Sequence, residues 1–327
     1  MTLLTTIEAI RITIADEMER DDRVFLLGED VGRKGGVFKA SEGLLERFGP
    51  RRVIDMPISE SAIVGVAIGA ALQGLRPIAE IQFADYLHPA FDQIVSEAAR
   101  YRYRSRGAWS CPLVIRAPWG AGIHGGLYHS QSVEAFYCHV PGMKVVAPST
   151  AADAAGLLRA AIRDPDPVLF LEHKRVYRGI RDDVPEGDFT VPIGKAVVRR
   201  AGCDLTIVAW GMVAHYALEA ASLLAQEDIQ AEVIDPRTLA PLDLGTMIAS
   251  VRKTGRLLVV HEDNLTGGLG AEISAAVTEH TFPFLDAPVR RLAAPDVPAM
   301  PFEQGMEQFC MPDAPKIVEA ARQLVVY

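Results

Sequence analysis

The sequence predicts an α/β fold built from two doubly wound domains. Short apolar runs, such as 23–28, 78–83 and 205–211, alternate along the chain with segments whose apolar residues recur at helical spacing. This alternation is typical of parallel sheets covered by helices on both faces. The chain has 327 residues, enough for about two domains. A charged stretch rich in Pro and Gly, 178–192, has no apolar period. We therefore expect a first domain over 1–180, a linker over 181–193 and a second domain over 194–327.

In the first half, an amphipathic helix over 6–20 is predicted by Ile7, Ile10, Ile14 and Met18, which share one helical face. The other elements follow from apolar runs bounded by Gly and Pro. We expect strands at 23–28, 53–55, 78–83, 112–116, 144–148 and 167–171, and helices at 41–48, 59–74 and 150–163. The segment 85–99 is expected to start as a loop and become a helix.

The second half repeats this alternation on a smaller scale. A Gly-rich turn at 267–270 opens one of its helices. We expect strands at 205–211, 231–235, 256–261 and 289–293, and helices at 215–227, 244–254, 270–280 and 315–324.

The stretch 53–74 is predicted to be a strand end, a turn and a buried helix. Pro57 stops the strand, and Ser59 is a candidate N-cap. Glu60 follows in the first helical turn, where the helix dipole favours an anion. The helix is apolar and small, so we expect both its faces to be packed. From these residues alone, an acid that only complements the dipole is favoured over a ligand-binding carboxylate.

Other candidate functional residues lie beyond the carboxyl ends of predicted strands, where open parallel sheets bind ligands. Glu29 and Asp30 follow 23–28 and could be general acid–base groups or turn residues. His129 lies in a loop near His124 and His139, but this spacing matches no recognised metal-ligand set. A proton-handling His129 and a structural His129 remain equally open.

The loop 120–125 matches the dinucleotide pattern G-x-G-x-x-G. The glycines of that motif should open a helix, and an acid should follow about 20 residues later. Neither feature is present, so a flexible loop over a site is favoured over a nicotinamide site.

Composition excludes several classes of protein. The formal net charge of -9 argues against sequence-independent nucleic-acid binding, and no apolar run is long enough to span a membrane. No secretory signal is recognised at the N-terminus. Cys111, Cys138, Cys203 and Cys310 are scattered, which fits free thiols in a reducing compartment. We expect a cytoplasmic protein.

Several motifs in combination carry a family resemblance. They are Leu27-Gly-Glu-Asp-Val-Gly32, Pro57-Ile-Ser-Glu60, Ala79-Glu-Ile-Gln-Phe-Ala-Asp-Tyr86, Tyr128-His-Ser-Gln-Ser132, Val233-Ile-Asp-Pro-Arg-Thr238 and Lys253-Thr-Gly-Arg-Leu257. Over essentially its whole length, the chain resembles the β subunit of the thiamine-diphosphate-dependent decarboxylating component of 2-oxoacid dehydrogenase complexes. The branched-chain type is most similar. The resemblance implies a pyrimidine-binding domain followed by a transketolase C-terminal-like domain.

The resemblance also implies roles for residues. Glu60 matches the glutamate that hydrogen-bonds N1′ of the aminopyrimidine and promotes the imino tautomer, which deprotonates the thiazolium. Tyr86 matches the aromatic residue on the pyrimidine, and Glu29, Ile58 and Phe83 are expected to complete this cofactor site. His129 matches a histidine implicated in acyl transfer to lipoamide. A structural potassium ion is expected at Leu113, Ala161, Ile162, Asp164 and Asp166.

The partners implied by the resemblance are an α subunit, in an α2β2 heterotetramer, and the lipoyl and subunit-binding domains of the acyltransferase component. Transketolase-type enzymes hold the diphosphate through Mg²⁺ and a Gly-Asp-Gly motif, which this chain lacks. The α subunit is therefore expected to hold Mg²⁺. The alternatives are a pyruvate dehydrogenase β subunit, a non-catalytic interaction subunit and a nicotinamide-dependent dehydrogenase. Two departures from the family pattern are Pro236, where an aliphatic residue is usual, and Asp166, where some relatives have Asn.

Overall fold

The computed structural model describes residues 1–327, and the chain divides into two units. The first unit comprises residues 1–119 and 136–193, and the second comprises 120–135 and 194–327. The domain boundaries expected from the sequence stay a prediction. No helix is both long enough and apolar enough to cross a membrane.

The first unit is organised around six parallel strands. Their order across the sheet is β6-β7-β5-β4-β2-β3, and an antiparallel pair, β1 and β8, forms a separate small sheet. The strands are β1 Thr2–Thr5, β2 Val24–Gly28, β3 Val53–Asp55, β4 Arg76–Glu80, β5 Val114–Trp119, β6 Lys144–Val146, β7 Val168–His173 and β8 Arg181–Val184. The helices are α1 Thr6–Arg20, α2 Leu44–Phe48, α3 Glu60–Leu72, α4 Tyr101–Arg104, α5 Glu134–Cys138, which crosses the unit boundary, α6 Ala151–Arg163 and α7 Val176–Gly179.

The second unit has a five-stranded sheet in the order β14-β13-β10-β11-β9, in which only β9 is antiparallel to its neighbour. Its strands are β9 Val197–Arg200, β10 Leu205–Ala209, β11 Ala231–Asp235, β12 Thr238–Ala240, β13 Leu257–Asn264 and β14 Arg290–Ala294. Its helices are α8 Met212–Ala225, α9 Leu244–Thr254, α10 Leu269–Thr281, α11 Gln304–Cys310 and α12 Ala314–Val325.

Each sheet has its own apolar core, as the expected α/β class requires. In the first unit the predicted apolar stripe of α1 packs with α6 and the strands, and Ile10, Ile14 and Met18 are fully buried. In the second unit α8 and α12 cover strands β10, β11 and β13. The prediction of two parallel α/β sheets is therefore confirmed.

The elements differ from the prediction at several places. The segment 85–99, expected to start as a loop and become a helix, forms short 3-10 and π turns, Ala84–Ala90, Gln93–Glu97 and Ala98–Arg100. Ser59 is at the N-cap of α3, but its side chain makes no capping hydrogen bond. Both faces of α3 were expected to be packed, yet Gly65, Val66 and Gly69 are exposed in this chain.

Candidate active site

The expected active-site residues of the first unit follow the ends of neighbouring parallel strands. Gly28, the last residue of β2, is in register with Asp55 on β3 and with Glu80 on β4. Glu29 follows β2 directly, and Glu60 opens α3 after the turn that follows β3. The register therefore brings both carboxylates to the same edge of the sheet, where ligands bind in this fold class.

The turn after β2 is closely packed, which fixes the position of Glu29. A Cβ atom at Gly28 would lie 2.6 Å from the carbonyl oxygen of Glu80, so only glycine fits there without a shift. The Asp55 carboxylate accepts the backbone N–H of Gly32 at 2.6 Å. These contacts tie the loop after β2 to both neighbouring strands.

Glu29, Glu60 and Tyr86 form one electrostatic cluster. Burial raises the pKa of Glu29, and the charges of Asp30 and Glu60 act in the same direction, whereas a hydrogen bond from the Gln82 side chain opposes them. Burial also raises the pKa of the Tyr86 hydroxyl, with nearby carboxylates, Glu60 among them, adding to the effect. Sequence reasoning did not identify Gln82 as the partner of Glu29.

Aromatic rings stand beside these carboxylates. Phe83 is buried and meets Tyr86 edge to face, with ring centroids 5.7 Å apart, and Phe38 packs on its other side at 5.5 Å. Ile58, just before α3, leaves its side chain 78% exposed. Half-buried carboxylates beside aromatic rings fit a flat nitrogen heterocycle, because the rings pack on it and a carboxyl group can exchange a proton with a ring nitrogen.

A buried ionic cluster, which sequence reasoning missed, lies in the same sheet. Arg116 donates to Glu80 at 2.7 Å and to both oxygens of Glu172 at 2.6 and 2.9 Å, and the Tyr177 hydroxyl also donates to Glu172, at 2.5 Å. All four side chains are buried. Burial raises the pKa of Glu80 despite the Arg116 charge. The sequence does carry a signal for this cluster, because Glu80, Arg116 and Glu172 each lie within a largely apolar strand.

His129 lies in the second unit, in the loop 120–135, and its side chain is half-buried. The loop contains one 3-10 turn, Gly126–Tyr128, and no α-helix opens at the glycines 120–125. Gln131 holds the turn: its amide group donates to the carbonyls of Gly126 and Leu127 and accepts the N–H of Met300 at 3.2 Å.

Buried carboxylates hold the start of this loop. Glu307 accepts the N–H groups of Gly122 and His124 and contacts His124 Nδ1 at 2.6 Å, so His124 has a carboxylate partner. Glu262 accepts the N–H of Ala121 at 2.9 Å. The loop backbone is thus fixed by side chains from distant parts of the second unit.

At its end the loop contains a third buried acid, Glu134. Glu134 is fully buried and accepts a hydrogen bond from Trp210 Nε1 at 3.1 Å, and the Trp210 ring stacks on His261. Burial raises the pKa of Glu134 well above its usual range, and the charge of Asp263 acts in the same direction. Burial also raises the pKa of Asp263 to about 6 and lowers that of His261 to about 4.

The residues expected to hold potassium lie at the opposite edge of the first sheet, where β5, β6 and β7 begin. Asp164 and Asp166 are close together, but protein cations already contact them: Lys144 lies 2.7 Å from Asp164 and Arg102 lies 2.5 Å from Asp166. Carboxylates already paired with protein cations are a poor donor set for an additional potassium ion, and the site expected at Leu113, Ala161, Ile162, Asp164 and Asp166 stays a prediction.

Comparison with known families matches one domain model to most of each unit, although the loop 120–135 falls within the range of the first model. Residues 3–180 match the model of the transketolase pyrimidine binding domain, and residues 194–317 match the transketolase C-terminal domain. Among solved structures, the chain is similar to a split-gene transketolase described as an inactive β4 tetramer. The TM-score is 0.77 and the identity 26%, covering 99% of this chain and 98% of that one.

Two full-length relatives are found in Bacillus subtilis. The 2-oxoisovalerate dehydrogenase subunit beta is 54% identical over 327 residues, covering 100% of both chains. The pyruvate dehydrogenase E1 component subunit beta is 45% identical, again over 100% of both chains. The first of these has the higher identity.

Proposed function

Because the chain belongs to the family of 2-oxoacid dehydrogenase β subunits, we propose that it is the β subunit of a branched-chain 2-oxoacid dehydrogenase. With an α subunit, it would catalyse oxidative decarboxylation of 2-oxoacids and acylation of a lipoyl group. The proposal that the substrate is a branched-chain 2-oxoacid rests on the 54% identity to a 2-oxoisovalerate dehydrogenase subunit. The 45% identity to a pyruvate dehydrogenase subunit makes pyruvate the second candidate substrate.

The pyrimidine-binding domain implies thiamine diphosphate, which supplies carbanion-stabilising chemistry when bound. We assign to Glu60 the exchange of a proton with N1′ of the aminopyrimidine. Its position beside Glu29 and Tyr86 supports this role. Phe83 and Tyr86 would pack on the ring, and Ile58 would provide a further apolar contact.

The family implies an α subunit, and we propose an α2β2 assembly in which that subunit holds Mg²⁺ and the diphosphate. The absence of a Gly-Asp-Gly motif from this chain supports the division. Exposed apolar side chains support a subunit role, because isolated soluble proteins rarely expose large apolar patches. In or near the His129 loop and α11 they include Leu127, Tyr128, Phe302, Met306 and Phe309.

We further propose that the assembly meets the lipoyl and subunit-binding domains of an acyltransferase component. All four cysteines are free thiols. This supports a reducing compartment, and we propose the cytoplasm.

The substrate proposal predicts that the assembled enzyme prefers 3-methyl-2-oxobutanoate to pyruvate by roughly 10-fold or more in kcat/KM, since each buried methylene contributes about 0.8 kcal/mol. The test is a competition assay at equal concentrations of the two acids, with thiamine diphosphate and Mg²⁺, on the chain co-purified with its α subunit. The chain alone is the control and should show no decarboxylation. A clear preference for pyruvate would contradict the branched-chain assignment, and full activity of the chain alone would contradict the shared site.

For His129, we propose a role in handing the acyl group to lipoamide. His129→Ala should therefore lower lipoamide acylation more than decarboxylation, because an artificial electron acceptor needs no proton donor at this step. The two rates are measured side by side on the same preparation. His124→Ala is the matched control, since it removes a neighbouring imidazole that is paired with Glu307. Equal losses in both assays for His129→Ala would show that it only shapes the pocket.

A further inference from the structure

The turn that follows α6 presents backbone and side-chain oxygens to the start of the sheet. The carbonyls of Ile162 and Asp164 and the carboxylates of Asp164 and Asp166 all lie within this short segment. The Asp166 N–H donates to the Asp164 carboxylate at 2.9 Å, which fixes the turn. Such convergent oxygens are the kind of ligand set that replaces the hydration shell of potassium.

A guanidinium nitrogen already stands between the two carbonyls. Nη1 of Arg76, from the first residue of β4, donates to Ile162 O at 2.8 Å and to Asp164 O at 3.2 Å. The Arg76 side chain is 22% exposed, and its Nε lies 3.9 Å from Asp21. One side-chain nitrogen therefore contacts the carbonyl oxygens of two of the five residues expected at the potassium site.

The carboxylates of the turn are also neutralised by the chain itself. Lys144 Nζ lies 2.7 Å from both oxygens of Asp164, and Arg102 Nε lies 2.5 Å from Asp166. With Arg23, which is bonded to Asp21 at 2.8 Å, the cations Arg76, Lys144 and Arg102 outnumber the carboxylates of Asp21, Asp164 and Asp166. A further monovalent cation at this turn would lie a few ångströms from the Arg76 guanidinium, and the repulsion between the two positive charges would disfavour its binding.

We propose that Arg76 and Lys144 act as built-in cations that take the place of a structural potassium ion at this turn. Arg76 donates to the Ile162 and Asp164 carbonyls, which belong to residues that would hold the ion, and Lys144 supplies the charge opposite Asp164. The fold of this chain is therefore independent of potassium. The inference concerns the turn alone and does not depend on which 2-oxoacid the enzyme uses.

The test is thermal unfolding of the α–β assembly in KCl, NaCl and choline chloride at equal ionic strength and protein concentration. The wild-type Tm should be the same in all three salts. Arg76→Thr leaves the two carbonyls without their charged donor and should lower Tm by roughly 3–10 °C in NaCl and choline chloride. Potassium should restore at least half of that loss, because the opened carbonyl site can accept the ion.

Arg23→Thr is the matched control. Arg23 is bonded to Asp21, so its loss changes the local charge equally but leaves Arg76 on the carbonyls. This variant should show no potassium-specific recovery. As a measurement independent of any variant's folding, wild-type crystals soaked in thallium(I) should show no anomalous peak at the turn. A potassium-specific rise in wild-type Tm, a thallium peak there, or an Arg76→Thr deficit that potassium leaves unchanged would each overturn the proposal.

Discussion

Glu60→Gln is expected to lower 2-oxoacid decarboxylation by the assembled enzyme about 10²-fold or more, the usual cost of losing a positioned acid–base group. The substitution keeps the size of the side chain and one hydrogen-bonding oxygen but removes the exchangeable carboxyl proton. The fold should survive, because a first-turn carboxylate contributes at most about 1 kcal/mol to a helix. The most direct measurement is hydrogen–deuterium exchange at C2 of thiamine diphosphate in the assembly.

The chain offers a matched control for this prediction. Glu272 is an exposed acid in the first turn of α10, a helix of 13 residues, the same length as α3. Glu272→Gln should change stability as little as Glu60→Gln does and should leave the rate unchanged. Wild-type exchange at C2 in the Glu60→Gln assembly would show that Glu60 is only a dipole-complementing acid, the interpretation that local sequence alone favoured.

The central elements of the fold could be predicted because buried parallel strands appear in the sequence as apolar runs. The run 205–211 corresponds to β10, and its strand residues Leu205–Ala209 are all buried. The antiparallel edge strands β8 and β9 carry no such signal. Strand β9, Val197–Arg200, is only half-buried and runs antiparallel to β11. Strand β8, Arg181–Val184, falls within the linker expected from the sequence, yet it pairs with Thr2–Thr5.

The candidate site was partly predictable for a related reason. Strand ends pointed to Glu29 and Glu60, but their approach to each other depends on the register of β2 with β3, which a sequence does not state. The resemblance supplied the roles of Tyr86 and His129. It also supplied the potassium expectation, which did not anticipate the Arg76 side chain on the carbonyls of the turn.

The largest effect on stability is expected for Arg116→Met. This change leaves the carboxylates of Glu80 and Glu172, 3% and 1% exposed, without their shared cation. Uncompensated buried charge of this kind costs about 3–5 kcal/mol. Denaturant unfolding of the assembly at fixed protein concentration measures the loss, since the stability of an oligomer depends on concentration. A loss below about 1 kcal/mol would contradict this account of the cluster.

The pH dependence of that loss distinguishes buried charge from a packing defect. Burial already raises the pKa of Glu80 in the wild type, and without the Arg116 charge that pKa must rise further. A carboxyl group whose pKa is raised by folding contributes its full stability below the unfolded pKa and loses it as pH rises through the folded pKa. Arg116→Met should therefore be more destabilised at pH 8 than at pH 5.

The matched control combines Arg116→Met with Glu80→Gln and Glu172→Gln, which removes all three charged side chains of the buried ionic cluster. It should lose much of this pH dependence, whereas an equal pH dependence in both variants would place its origin elsewhere in the fold.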